Sequence, residues 1–157
     1  MINAPKTSRM AEVRAFLAEA ERRASRHADP SPYAREVALG GVAAMLIGFF
    51  GCKPKEVLII RTRHVADAGR LLTLDDTEAR TDHQIETPEV LRGHMARLAA
   101  GKDGGALVFG DRDRAWLVRE VKSIAMAAGV SIDERGLRLA YAAAASAATR
   151  SLGGGEG

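Results

Sequence analysis

Met10, Val13, Phe16, Leu17 and Ala20 recur at three- and four-residue intervals, a spacing that predicts an amphipathic helix over residues 8–27. Asp29-Pro30-Ser31-Pro32 breaks it, and Ser31 can cap a second helix with Pro32 at its first position. From Val37 to Cys52 that second helix is apolar throughout, and it should end near Gly51. The run is shorter than the roughly 20 residues a bilayer span needs, and it contains the pair Gly40-Gly41. A buried central helix, with 37–50 its most buried part, is therefore expected, and no membrane partner.

Lys53-Pro54-Lys55-Glu56 opens a short third helix that sends Val57, Leu58 and Ile60 inward, and Ala68-Gly69 makes a turn. Leu71–Leu74, His83–Glu86 and Ala106–Phe109 read as short strands. Thr87-Pro88 begins a helix through Leu98 that Gly101 closes. Leu117, Val121, Ile124, Ala125 and Ala128 mark another helix, and alanine-rich Leu137–Arg150 a last one. The expected fold class is mainly α with a small three-stranded antiparallel sheet (α+β). It forms a single domain over residues 1–150, followed by a flexible tail at 151–157.

With 157 residues, 46% apolar and 27% charged, the chain can bury a core without staples. The single cysteine, Cys52, allows neither an internal disulfide nor a paired-cysteine metal motif. Met1–Arg9 lacks the apolar stretch of a signal peptide, so a cytoplasmic location is expected. A net charge of +3 permits a nucleic-acid partner without demanding one. Its distribution says more. Lys6, Arg9, Arg14, Arg22, Arg23 and Arg26 face only three glutamates over residues 6–26, whereas Asp75, Asp76, Glu78, Asp82 and Glu86 face Arg80 alone.

Candidate chemistry is sparse. His27, His64, His83 and His94 share no ligand spacing, so no metal and no cofactor is expected. The Gly-Gly pairs at 40–41 and 104–105 lack the context of a phosphate loop, and Asp111 and Asp113 suit a helix start. Residues 125–131, Ala-Met-Ala-Ala-Gly-Val-Ser, resemble the turn of a helix-turn-helix. Against that, Gly136 would fall inside the recognition helix, and Asp133 and Glu134 would meet phosphates.

The most informative segment is Gly51-Cys-Lys-Pro-Lys-Glu56-Val-Leu-Ile-Ile-Arg-Thr-Arg-His-Val65. With the strand at 71–74, the Thr87-Pro88 helix, Ala-Leu-Val-Phe-Gly at 106–110, Ala-Gly-Val at 128–130 and Gly136-Leu137-Arg138, it resembles the catalytic domain of tyrosine recombinases (phage integrases) over about residues 10–150. The resemblance implies that Lys53 occupies the first catalytic arginine position, where lysine lacks the forked grip of a guanidinium. The family's hairpin lysine has no counterpart, since no lysine occurs between Lys55 and Lys102. Arg135 stands at the histidine position, where it cannot shuttle protons, and Arg138 matches the second arginine. Tyr141 follows too closely to serve as the nucleophile. No catalytic residues are assigned, and the chain is expected not to be an enzyme.

Two readings follow from the resemblance. One is a non-catalytic integrase-fold protein that binds DNA or regulates recombination or transcription, with Lys53, Arg61, Arg63, Arg135, Arg138 and the basic first helix on phosphates. The other is a protein-interaction module that binds itself, a recombinase or another protein. The acidic 75–86 stretch favours the second because it would repel DNA. A helix-turn-helix regulator is a further alternative.

Overall fold

Ser31 does cap the central helix: its hydroxyl accepts from the Ala34 N–H at 3.4 Å, with Pro32 in the first turn. The computed structural model describes residues 6–76 and 81–143, without the side chains of 6–8, 75, 76, 81 and 82. The first helix is α1 (Lys6–Ala24), and the central helix is α2 (Pro32–Phe50). Residues 25–27, expected as the end of α1, tighten together with Ala28 into a 3-10 turn. α2 stops at Gly51, whose φ of 66° lies in the left-handed region and whose N–H donates to the Ile47 carbonyl at 2.9 Å.

Because no charge interrupts α2 beyond Glu36, every residue from Gly40 to Ile47 is buried. By length and composition α2 could cross a membrane, yet more than half of its apolar stretch is buried within the protein. α1 lies along it through Phe16, Ala20 and Ala24, all inaccessible to solvent. The backbones come so close that a Cβ on Gly41 would strike the Ala20 carbonyl and the Ala24 N–H. α3 (Pro54–Leu58) and α4 (Glu89–Ala99) add Val57, Leu91 and Met95 to the core. α5 (Arg114–Ala128), which Asp113 caps by accepting from the Trp116 N–H at 2.9 Å, contributes Leu117, Val121 and Ile124. Each of these large side chains contributes roughly 1.5–3 kcal/mol by its burial.

The sheet is antiparallel and three-stranded, in the order β1 (Val65–Ala66), β2 (Leu71–Asp76), β3 (Thr81–Glu86). The strand expected at 106–109 is not part of it. Leu107 makes a single antiparallel bridge to Arg61, supported by Thr62 N–H to Ala106 carbonyl and Val108 N–H to Ile60 carbonyl, each 2.9 Å. That ladder cannot lengthen. On one side Thr62–His64 coils into a 3-10 turn, and on the other Leu107–Gly110 closes a turn of its own. A last helix, α6 (134–143), begins after Gly129 and four non-helical residues. The remainder of the helix expected to Arg150 and the tail at 151–157 lie outside the described residues, as do Glu78, Arg80 and the side chains of Lys6, Asp75, Asp76 and Asp82.

Candidate nucleic-acid interface

α3 begins at Pro54 because Glu56 reaches back to accept from the Lys53 N–H at 2.8 Å, a capping arrangement that fixes the Lys53 backbone. A few residues on, the chain is stitched to the 103–107 loop. The Arg61 guanidinium donates to the Gly105 carbonyl, the Arg63 N–H donates to the Gly104 carbonyl at 3.1 Å, and the Thr62 hydroxyl donates to the Asp103 carbonyl. The Arg61 N–H also donates to His64 Nδ1 at 2.9 Å, so that ring nitrogen is an acceptor. Arg61, Arg63 and His64 line a hollow of about 330 Å³ together with Glu56 and Thr73. Arg61 is thus partly committed to the protein, whereas Arg63 is exposed.

A second hollow, of about 250 Å³, adjoins the first, with Glu56 in the wall of both. Gly51, Cys52, His83 and Tyr141 line it. Tyr141 packs so closely on Gly51 that a Cβ there would run into its ring. This contact brings the turn carrying Lys53 against the helix carrying Arg135 and Arg138. On that helix Arg135 is exposed, with no ion pair among the described residues. Arg138 is half-buried and donates through Nε to Glu134 Oε2 at 3.3 Å, and Glu134 also lies 3.9 Å from Arg114. The guanidinium therefore has a local counterion that a phosphate must displace.

The basic first helix is less available than its composition suggests. Glu19, buried between α1 and its neighbours, holds both Arg22 and Arg23, and Arg23 also reaches the Ser123 hydroxyl at 3.0 Å. In the acidic stretch, Glu86 is neutralised by Arg70 at 3.2 Å and Arg92 at 3.7 Å. The register sets Asp75 opposite Asp82. At the helix-turn-helix candidate, Gly129 is left-handed, and the Gly136 N–H is capped by Asp133 at 2.7 Å. Gly136 and Leu137 are buried, so the first turn of α6 offers Arg135 rather than an all-polar face.

Cys52 is buried. Burial, and then the Glu56 carboxylate, push its thiol up to about 12. Native protein at pH 8 should resist iodoacetamide and become alkylated only with unfolding. Modification of the folded chain at the rate of a free thiol would contradict the burial.

A third group of basic side chains was not legible in the sequence. His27, Arg35, Arg97, Lys102 and Arg112 converge on a pocket of about 340 Å³ between the 25–28 turn, α2, α4 and the 100–113 loop. They come from five separate places in the chain and share no motif. Among the described residues, no three His, Cys, Asp or Glu side chains are placed to hold a metal ion. Compared with known proteins, the chain matches no family model, no curated protein and no solved structure.

Proposed function

We propose that this chain is a non-catalytic, integrase-like DNA-binding or regulatory protein of the cytoplasm. One observation carries the reading. Arg63 and Arg135, both exposed and without an acidic partner among the described residues, stand on the two parts of the chain that meet where Tyr141 packs on Gly51. Lys53 and Arg61 share a segment with Arg63, and Arg138 a helix with Arg135; they add weaker contacts, because each already has a protein partner. Exposed arginines of this kind grip the backbone rather than reading bases.

Fluorescence anisotropy with a labelled duplex at increasing salt tests this. With about four phosphates engaged, log affinity against log salt should fall with a slope on the order of −3 to −4. Arg63→Ala and Arg135→Ala should each weaken binding to all sequences alike and make that slope shallower by about 1. Arg138→Ala should act in the same direction but less, since Glu134 already occupies its guanidinium. No covalent adduct should form on a suicide substrate. Absence of binding by micromolar protein at about 50 mM salt, where even non-specific binders register, would overturn the reading.

A second reading, a protein-interaction module, draws on Met126. This side chain is 71% exposed at the mouth of an apolar hollow formed by α5 and residues 130–134. It predicts a stable complex or homodimer by light scattering with no DNA affinity.

A further inference from the structure

The pocket between α2, α4 and the 100–113 loop is short of negative charge. Arg35, Arg97, Lys102 and Arg112 line it against a single lining carboxylate, Glu36. That carboxylate is spoken for: Arg112 grips it through Nε at 3.0 Å and through its terminal nitrogen. The remaining three cations have no carboxylate partner among the described residues. Arg97 is half-buried and spends one N–H on His94 Nδ1 at 3.0 Å, so this imidazole is neutral and accepts. Among the described residues, Lys102 donates to the Val108 carbonyl, at 3.4 Å. Arg35 is exposed at the rim.

His27, which also lines the pocket, stacks edge-on against His94 with ring centroids 5.7 Å apart and adds no acid. Both imidazoles are held below their ordinary range, by burial first and then by Arg97, with His27 also acting on His94. Burial also lowers Arg97. A half-buried guanidinium such as Arg97, with Lys102 and Arg35 exposed beside it and no counterion among the described residues, is costly unless an anion completes it.

We propose that this pocket binds a small molecule bearing a phosphate or pyrophosphate group, with Arg97 and Lys102 as its principal donors and Arg35 closing over it. The concave shape suits a free phosphorylated ligand, since its volume lies in the range of small-molecule sites. Lys102 also lines a neighbouring hollow with Arg63, but the proposal does not rest on the DNA reading.

Inorganic pyrophosphate is the probe, measured by isothermal titration calorimetry and by amide chemical-shift mapping at low salt. Saturable binding with shifts at residues 27, 35, 97 and 102 is expected. Arg97→Gln and Lys102→Gln should each weaken it by about tenfold or more, as loss of a charge-assisted hydrogen bond does. Arg35→Gln, at an exposed position that leaves the fold intact, should weaken it by a few fold. Arg135→Ala should leave pyrophosphate binding unchanged while weakening duplex binding. No heat and no shifts at millimolar pyrophosphate would overturn the proposal. So would binding insensitive to Arg35→Gln and Lys102→Gln, or shifts confined to residues 61–64. Competition by a short duplex as effective as by pyrophosphate, lost together with Arg35→Gln, would reassign the pocket to the nucleic-acid backbone and overturn the small-molecule claim.

Discussion

Gly41→Val should destabilise the protein by roughly 3 kcal/mol, at the upper end of what overpacking usually costs. A side chain at this position has nowhere to go. Its Cβ would lie 2.5 Å from the Ala20 carbonyl oxygen and 2.7 Å from the Ala24 backbone nitrogen. Those are main-chain atoms of α1, which cannot rotate aside as a side-chain tip would. The two helices must separate, and Phe16, Ala20 and Ala24 would lose their burial against α2. Urea unfolding measures the loss, and hydrogen exchange in α1 should accelerate more than in α4. Gly93→Ala is the internal control: it lies within α4 with no atom within 4 Å of an added Cβ. There the gain in helix propensity should raise stability by about 0.5–1 kcal/mol. A Gly41→Val protein as stable as the parent would mean that α1 and α2 do not touch through their backbones.

The helices were legible because their ends are written in single residues. Ser31 with Pro32, Asp113, Gly51 and Gly129 each act through hydrogen bonds or backbone conformation within a few residues, so sequence alone could locate them. The strand at 106–109 was misread for the opposite reason. Ala106–Phe109 has the composition of a strand, but whether it pairs depends on residues 60–62, which lead into a 3-10 turn. β1, only two residues long, carries no pattern to read and exists because the 67–70 turn returns β2 against it.

The candidate site divides in the same way. Arg61, Arg63 and Lys53 could be named from one contiguous segment. The pairing of Arg138 with Glu134, four residues apart on a helix, was also readable and lowers the weight of Arg138. Arg35, Arg97 and Lys102 lie more than sixty residues apart at the extremes, and only the packing of α4 beside α2 gives them a common target.

Gly69→Ala should cost about 3 kcal/mol, with two terms of comparable size. The backbone there has a φ of 86°, where a Cβ costs roughly 1–2 kcal/mol. The same Cβ would press on the Arg92 carbonyl group of α4, and overpacking of this kind adds about 1–3 kcal/mol. Relief is blocked because the turn is pinned. The Thr87 hydroxyl donates to the Gly69 carbonyl, and the Thr87 N–H donates to the Arg70 carbonyl at 2.9 Å, which locks residues 69–70 to the start of α4. Ala68, one residue earlier, separates the two terms. It too is left-handed, with a φ of 54°, but it is exposed. Ala68→Gly should therefore stabilise by up to about 1 kcal/mol, recovering the conformational term alone. Denaturant midpoints of both variants test the pair. If Gly69→Ala cost no more than the conformational term that Ala68→Gly recovers, the turn would not be packed against α4, and the anchoring of the sheet on that helix would have to be abandoned.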